Sequence, residues 1–404
     1  MSSSDSDLQR PGPHEGAGVL GSRLTDVSRE QFAGEVWGKK ALLTRGASDF
    51  SDLFNADAVD ELISRRGLRS PFLRVAKDGA TLPVASFTAG AGVGATITDQ
   101  LDDTALWRHF RDGATLVLQA LQRTWEPLGA FSAALADELG SPVQANAYIT
   151  PPQNQGFDDH YDVHDVFVLQ IEGTKRWVLH PPVLDAPLRH QPWTDRREQV
   201  ATAAAEEPYI DAVLEPGDAL YLPRGWLHAA TAQGEASIHV TLGIHNWTRY
   251  AVAEQVTQSV LALLREDPTM RQSLPLGADG PDEQVLALVK DSISAVLGDA
   301  DPSAGLARTR RGQARPAPLG PLAQLAALRG LADDSRFVLR EHLDARLDGT
   351  RLWTRVGWLD FSEDELLHVR AAMDGQELTP QSSGRALVER LVRSGVLVPV
   401  GTSA

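Results

Sequence analysis

Three side chains in two separate stretches have the types and spacing of a metal site. His160 and Asp162 lie in QGFDDHYDVHD, and residues two apart in an extended chain point to the same side. His228 follows in DALYLPRGWLHA, at the end of a short predicted strand, and Gly225 allows a close bend before it. Two imidazoles and one carboxylate on one face of an octahedron are the ligands of non-haem Fe(II) oxygenases. The pattern therefore predicts a facial metal site formed by His160, Asp162 and His228.

Each of these residues also has a simpler interpretation. His160 and Asp162 are compatible with a hydrogen-bonded pair at the entrance of a hairpin, and His228 with a buried histidine satisfied by its neighbours. His164 competes for a ligand position because it shares strand parity with His160 and Asp162. The spacing favours His160 and Asp162 as ligands and places His164 in the wall of the pocket.

Lys175 is one of only five lysines among the 38 basic residues of the chain. It lies at the start of a predicted strand, and the apolar residues Trp177 and Leu179 share its face. An ammonium group that faces an apolar interior needs an anion, and a dicarboxylate co-substrate would supply one. The alternative is a lysine at a turn that extends its ammonium group to water.

Short strands are predicted to position these residues. Between Val143 and Trp247 the sequence has short apolar runs separated by Gly, Pro and Asp, which predicts a small antiparallel barrel or sandwich of the jelly-roll type. Glu172-Gly173-Thr174 is predicted to turn the chain, so that the strand from Val166 returns as Arg176–His180 in a hairpin.

Helices are predicted on both sides of this strand-rich segment. A capping-box-like start at Ser28 leads into an amphipathic helix. Apolar residues at helical spacing predict one or two helices over 114–140 that end at Gly140. The helices after Tyr250 carry apolar stripes that are compatible with a bundle or a subunit contact, and residues 304–321, rich in Arg, Gly and Pro, are typical of a linker.

The expected fold class is therefore α+β, in four segments. They are a disordered tail at 1–22, a jelly-roll catalytic domain with flanking helices at 23–249, a helical dimerisation region with a linker at 250–321, and a winged-helix-like domain at 322–404.

Composition excludes several classes of site and disfavours some partners. The chain of 404 residues has no cysteine, so any metal must be bound by His, Asp or Glu. A net charge of −16 disfavours direct binding to nucleic acid and favours basic partners such as a positively charged polypeptide. The sequence has neither a signal-like start nor a long apolar stretch, so we expect a cytoplasmic protein that binds no membrane.

Three stretches carry a family resemblance: NAYITPPQNQGFDDHYDVHDVFVLQIEGTKRW, GDALYLPRGWLHAA and SIHVTLG. They are similar to the JmjC-type cupin family of ribosomal oxygenases, which are 2-oxoglutarate-dependent hydroxylases of ribosomal proteins. The resemblance is close over 143–247, includes FAGEVWGKKALLTRG near the start, and weakens after Tyr250. The family's architecture is a jelly roll (double-stranded β-helix), a helical dimerisation region and a winged-helix-like C-terminal domain, which agrees with the predicted order of elements.

The resemblance implies that Fe(II) is bound by the three candidate ligands and that Lys175 binds the distal carboxylate of 2-oxoglutarate. Three further residues match family positions near the co-substrate or the substrate: Asn146, Tyr148 and His239. Two positions depart from the family's patterns. Histidine hydroxylases of the family often carry Ser near the position of Gly243, and bacterial arginine hydroxylases tend to carry Arg in place of Lys175. The target residue therefore stays open between His and Arg.

The leading hypothesis is a homodimeric Fe(II)- and 2-oxoglutarate-dependent oxygenase that hydroxylates a side chain of a basic ribosomal protein. One alternative is a lysyl demethylase or a small-molecule or peptide hydroxylase on the same barrel, since neither fold nor iron site selects the substrate. Another is a non-enzymatic metal-binding cupin, which would form no succinate. A DNA-binding regulator is disfavoured by the acidic stretch Asp360–Glu365 and the lack of a basic recognition helix.

Overall fold

A computed structural model of the chain describes residues 18–94, 96–313 and 315–400. They form two compact units divided between Asn246 and Trp247, close to the boundary expected at residue 250. Strands dominate the first unit and helices the second, so the predicted α+β class is confirmed. Within the described ranges, no helix combines the length and the apolar character that crossing a bilayer requires.

The first unit is built around a nine-stranded antiparallel sheet. The strands of this unit are β1 Leu42–Thr44, β2 Leu73–Lys77, β3 Ala80–Thr81, β4 Thr88–Ala89, β5 Gln100–Leu101, β6 Thr115–Leu118, β7 Val143–Thr150, β8 Asp165–His180, β9 Ile210–Leu214, β10 Ala219–Leu222 and β11 Leu227–Ile244. The order across the sheet is β1-β10-β8-β11-β7-β6-β2-β3, with β9 beside β8, and β4 and β5 form a separate pair.

The two longest strands, β8 and β11, give the sheet its predicted jelly-roll form. They pair antiparallel along almost their whole lengths, and the other edge of β8 pairs with β10 in its first part and with β9 in its second. The register shifts between Gln233 and Ile238, where the pair bends. The bend brings the second part of β8 over β7, where Lys175 Nζ lies 3.1 Å from Thr150 Oγ1.

The hairpin predicted at Glu172-Gly173-Thr174 is wrong, because β8 runs through these residues as one strand. Gly173 has a φ of +61°, a left-handed conformation that bends the strand without reversing it. A Cβ at this position would clash with the carbonyl oxygen of Ala236 on β11. The glycine is thus needed because two bent strands approach closely here. In the sequence, a glycine required for such a bend cannot be told from the glycine of a turn.

Helices pack around the sheet. They are the π-helical turns Leu20–Leu24 and Phe32–Val36, the 3₁₀ turns Val84–Ser86 and Trp193–Arg196, and the α-helices α1 Arg29–Gln31, α2 Ala56–Ser64, α3 Asp103–Arg111, α4 Leu121–Thr124, α5 Glu126–Leu139 and α6 Arg197–Ala204. The Ser28 side chain caps α1 as predicted.

Two expectations for this unit need correction. The helix predicted from residue 114 is wrong over Thr115–Leu118, which is a fully buried strand. Four consecutive buried residues are too few for a strand period to be recognised. The predicted helix end at Gly140 is confirmed, since α5 ends there at a glycine in the left-handed conformation. Leu20, inside the predicted disordered tail, is only 2% exposed and packs in the core. Residues 1–17 of that tail lie outside the described residues.

Strand β7 separates the core from the pocket. Its residues Ala145, Ala147 and Ile149 are buried in the main hydrophobic core. The alternate residues, Tyr148 and Thr150 among them, face the opposite side of the sheet, since successive side chains of a strand point to opposite faces. The core thereby fixes the side chains that line the candidate site.

The second unit contains α7 Arg249–Glu266, α8 Glu283–Leu297, α9 Ser303–Gln313, α10 Pro321–Arg329, β12 Phe337–Leu339, β13 Arg346–Asp348, β14 Arg351–Thr354, β15 Gly357–Asp360, α11 Glu363–Met373, α12 Pro380–Ser383, α13 Arg385–Arg393 and β16 Leu397–Pro399. Helix α9 occupies much of the predicted linker at 304–321, so that prediction is wrong over the helix. The C-terminal part packs its helices and the β12–β16 pair around a separate core, beside the three-stranded β13–β15 sheet.

Candidate functional site

The three predicted metal ligands converge on one point. Ligand atoms of His160, Asp162 and His228 all lie within 4.8 Å of one another. The backbones of the two histidines form an antiparallel bridge, in which His228 N donates to His160 O at 2.8 Å and His160 N to His228 O at 3.3 Å. Asp162 Oδ2 lies 3.9 Å from His228 Nε2. A single ion can therefore contact all three side chains.

Outer contacts orient both imidazoles. His160 Nδ1 lies 2.7 Å from the carbonyl oxygen of Asp158, and His228 Nδ1 lies 3.1 Å from that of Trp226. A carbonyl oxygen only accepts, so Nδ1 of each ring must carry the proton. The lone pair of each Nε2 is then free for a metal, as in most histidine-ligated sites. This donor set fits Fe(II), which two histidines and one carboxylate bind facially.

The turn before His228 is held by the chain that carries Asp162. Gly225 has a φ of +90° and donates its backbone N–H to the carbonyl oxygen of Asp162 at 3.0 Å. A Cβ at Gly225 would lie 2.6 Å from the carbonyl oxygen of Leu184, so only glycine fits. The close bend predicted at Gly225 therefore joins the two ligand-bearing segments.

The site holds its ligands in the ionisation states that metal binding requires. Burial, aided by the nearby His160, lowers the pKa of His228 to about 4, so the imidazole is neutral near pH 7. Burial acts to raise the pKa of the Asp162 carboxyl, but the electrostatic effects of His164, His228, His160 and Arg74 outweigh it, and the pKa lies below its ordinary value. A neutral imidazole and a carboxylate need lose no proton to bind a cation.

His164 lies beside this cluster and outside the three-residue set. Its ring stacks on that of His245, with centroids 5.3 Å apart. A Cβ at Gly243 would lie 2.7 Å from His164 Nε2. The His164 ring therefore fills the space that a side chain at position 243 would occupy. A larger residue at position 243 would require the His164 ring to move.

A second group of side chains forms a buried pocket of hydrogen-bond donors around Lys175. Lys175 is only 3% exposed, and Nζ donates to Thr150 Oγ1 at 3.1 Å. No carboxylate of residues 18–94, 96–313 and 315–400 forms an ion pair with it, and burial lowers its pKa to about 7. A buried ammonium without a counter-ion is costly for the fold, which points to a ligand that supplies the anion.

Thr150 belongs to this pocket and was missed in the sequence. Its Oγ1 accepts from both Lys175 Nζ and Thr115 Oγ1, each at 3.1 Å. A hydroxyl has two lone pairs and one proton, so Thr150 retains a proton to donate. The available signal was parity, because Thr150 is two residues beyond Tyr148 on the same face of a strand.

Two ring donors complete the wall. His239 pairs with Tyr148 across the β7–β11 ladder, and their rings stack with centroids 4.8 Å apart. The Trp177 ring meets His239 edge-on at 5.4 Å. Within the described part of the chain, Trp177 Nε1 and His239 Nδ1 are buried without a hydrogen-bond partner. Burial, aided by the nearby Lys175, lowers the pKa of His239 well below its ordinary value, so the ring is neutral near pH 7.

Asn146 is placed differently from the other predicted residues. It shares the pocket face of β7, but its Oδ1 accepts from the backbone N–H of Ala120 at 3.1 Å and from Gln144 Nε2 at 3.2 Å. The structure therefore brings Tyr148 and His239 together near Lys175 and directs the Asn146 oxygen toward the start of α4.

Comparison with known proteins shows what the part of the chain that carries this site is similar to. Residues 117–252 match the family model of the JmjC domain. The chain is 32% identical over 266 residues to the bifunctional lysine-specific demethylase and histidyl-hydroxylase NO66 of Drosophila grimshawi, covering 64% of this chain and 35% of that protein. It is 30% identical over 262 residues to ribosomal oxygenase 1 of Gallus gallus, covering 64% and 42%. The chain thus spans less than half the length of these curated relatives.

The fold is also that of solved structures. The ribosomal oxygenase YcfD from Escherichia coli, in complex with cobalt and 2-oxoglutarate, aligns with a TM-score of 0.56 at 19% identity, over 94% of this chain and 99% of that one. Together with the sequence matches, this confirms the predicted jelly-roll fold and the predicted resemblance to ribosomal oxygenases. Over residues 117–252, the chain is similar to the JmjC domain family.

Proposed function

We propose that this chain is an Fe(II)- and 2-oxoglutarate-dependent oxygenase that hydroxylates a side chain of a ribosomal protein. The observation that carries the proposal is Lys175, a buried ammonium with no counter-ion, in the same jelly roll as a histidine, aspartate and histidine cluster. A metal-binding cupin without a co-substrate has no need of such a lysine. The names of the relatives, a histidyl-hydroxylase and a ribosomal oxygenase, support the same reaction class.

His160, Asp162 and His228 would hold the iron through one atom each. When bound, Fe(II) with O2 and 2-oxoglutarate supplies the oxidation of a C–H bond to C–OH, and the co-substrate leaves as succinate and CO2. The Nδ1 contacts of the two histidines keep each Nε2 aimed inward. The protein's task at these residues is to hold three donors on one side and leave the other side accessible.

Lys175 and Thr150 would bind the distal carboxylate of 2-oxoglutarate. The ammonium supplies charge, and the Thr150 hydroxyl donates its remaining proton, because both of its lone pairs are already used. Trp177 and the stacked pair of Tyr148 and His239 form the walls, exclude water and offer further donors. A 2-oxoglutarate complex of the neighbouring E. coli structure supports this choice of dicarboxylate.

The affinity for 2-oxoglutarate is expected to depend on pH through Lys175, whose pKa burial lowers to about 7. A carboxylate binds the ammonium form, so above pH 7 the free site must take up a proton on binding. The dissociation constant should rise by about tenfold per pH unit above pH 7 and level off below it. Titrations of wild type and Lys175→Arg test this, because a guanidinium stays charged in this range. Equal slopes for the two proteins would contradict it.

A basic polypeptide is the proposed substrate, in the cytoplasm where ribosomes are available. The net charge of −16 favours encounter with basic chains. Whether His or Arg is the target is left open by Gly243 and Lys175, which fit different branches of the family's patterns. Demethylation of lysine is the second candidate, because the name of one relative includes that activity.

The direct test incubates the protein with ribosomal proteins, Fe(II), 2-oxoglutarate and O2, and measures intact masses and succinate. Hydroxylation predicts one added oxygen atom on one protein with one succinate formed. Loss of methyl groups from a lysine-methylated substrate with no added oxygen would favour the demethylase. No succinate under any condition would favour the non-enzymatic cupin.

We also propose that a catalytic domain is followed by a helical dimerisation region containing α7 and α8 and by a winged-helix-like C-terminal domain. These helices expose large apolar side chains, including Leu261 at 56%, Leu286 at 45% and Leu297 at 52%. Apolar surface of this extent on neighbouring helices is typical of an interface. Light scattering should give the mass of a dimer, and Leu261→Glu should shift it toward a monomer. Leu322→Glu on α10, where the side chain is 81% exposed, is the control; a monomeric wild type would contradict the proposal.

A further inference from the structure

Arg74 lies between the co-substrate pocket and the segment that carries His160. Residues Arg74, Val117 and Tyr148 are successive partners across β2, β6 and β7. Arg74 Nη2 lies 3.4 Å from Tyr148 Oη, and the guanidinium carbon lies 5.2 Å from the centroid of the Phe157 ring. The Phe157 ring in turn lies 5.9 Å from that of His160. A cation therefore faces the pocket beside the metal ligands.

Most of the donors of this guanidinium are unused. An arginine side chain has five N–H donors and no acceptor. In the described residues, the only hydrogen bond of the Arg74 side chain is the long one to Tyr148, and Nε is buried without a partner. No carboxylate of these residues forms a direct ion pair with Arg74, although its charge acts on Asp162 at longer range and helps to lower the pKa of that carboxyl. Arg45, by comparison, pairs with Asp218 at 2.7 Å. A partly buried cation left in this state is poised for an acceptor that the folded chain does not supply.

The two small ligands of the proposed reaction are poor candidates for this acceptor. A metal cation at His160, Asp162 and His228 is repelled by a guanidinium. In the proposed function, the distal carboxylate of 2-oxoglutarate would be bound by Lys175 and Thr150, which already contact each other. The polypeptide substrate remains, and a basic polypeptide offers few carboxylates but one carbonyl oxygen at every residue.

We propose that Arg74 binds a main-chain carbonyl oxygen of the polypeptide substrate next to the residue that is hydroxylated. The inference rests on the proposed function, because it requires a polypeptide in the pocket. The planar fork, fixed by stacking on Phe157, can hold one carbonyl with two N–H groups. Arg74 would thus set the depth of the peptide backbone over the metal site without selecting its sequence.

The test compares Arg74→Gln and Arg74→Lys with wild type on ribosomal proteins extracted from E. coli ribosomes, with Fe(II) and 2-oxoglutarate. We expect Arg74→Gln to lower kcat/KM for the protein substrate by about 10- to 100-fold, the range for a hydrogen bond to a charged group. The KM for 2-oxoglutarate should change by less than about twofold. The melting temperature, and its rise when 2-oxoglutarate is added, should stay within a few degrees of wild type. Arg74→Lys should recover part of the loss, since it keeps the charge without the fork.

Arg66→Gln is the matched control, because Arg66 is exposed on the same unit and pairs with Glu61 at its surface. The inference is overturned if Arg74→Gln weakens 2-oxoglutarate binding as much as substrate turnover, which would make Arg74 a support for Tyr148. It is also overturned if turnover matches that of the control. A wild-type protein that binds 2-oxoglutarate but hydroxylates no ribosomal protein would overturn the proposed substrate, and this inference with it.

Discussion

Asp162→Ala is expected to abolish succinate formation, with a loss of at least about a thousandfold. Asp162 is the only carboxylate of the described residues within 4.8 Å of both His160 and His228 ligand atoms, so no neighbour can replace it. Removing only outer-shell partners of metal ligands already costs about 10- to 100-fold, and removing a ligand also changes the charge of the site. Metal binding should fall in parallel, as measured by metal content after dialysis.

Asp159→Ala is the control, since it removes the same charge from the same segment without touching the cluster. The melting temperature of Asp162→Ala without metal should stay within a few degrees of wild type, because the side chain makes no hydrogen bond that holds the fold. Full turnover by a folded Asp162→Ala protein would show that the ligand set is misassigned. His164, which lies beside the cluster, would then be the first residue to replace.

Strand parity explains why the metal cluster was predictable from the sequence. A His-x-Asp pair must point to one side of an extended segment, and a glycine before His228 signalled a close bend. Both inferences depend only on the backbone within a few residues. The convergence of the two segments does not, because it arises from the His160–His228 bridge between distant parts of the chain.

The bend at Gly173 shows where such local reasoning fails. Glu-Gly-Thr between apolar runs is typical of a hairpin, and a left-handed glycine is what both a turn and a bulged strand require. The outcome is decided by Ala236 on β11, which packs against Gly173 where the register shifts, while the β8–β11 pairing continues on both sides of the shift. Thr115–Leu118 was predicted as helix for a related reason, since four buried apolar residues have no period of their own.

The pocket residues that the sequence missed are defined by distant partners. Thr150 becomes a free donor only because Lys175 and Thr115 occupy both of its lone pairs. Nothing in the sequence distinguishes Arg74 from other strand residues. Its position across β6 from Tyr148 follows only from the pairing of β2, β6 and β7. Lysine scarcity did single out Lys175, but only the structure gives its burial and its missing counter-ion.

Lys175→Met is expected to raise the KM for 2-oxoglutarate by roughly 100- to 5,000-fold. The substitution keeps the length of the side chain and removes the charge that the distal carboxylate would pair with. Leaving one partner of a buried ion pair without the other costs about 3 to 5 kcal/mol, which corresponds to that range. A co-substrate analogue without the distal carboxylate, such as pyruvate, should bind wild type and Lys175→Met equally weakly.

The same substitution should stabilise the ligand-free protein. In wild type the ammonium is buried without a counter-ion, and burial lowers its pKa to about 7, so the fold opposes the charge that the ligand requires. Lys175→Met removes that conflict, and its melting temperature without ligand should rise while the stabilisation by 2-oxoglutarate disappears. Arg176→Met is the control, because Arg176 is the exposed neighbour that pairs with Asp211. A lysine with a purely structural role would give the reverse result, a lower melting temperature with an unchanged response to 2-oxoglutarate, since ligand binding to the folded state alone is what raises stability.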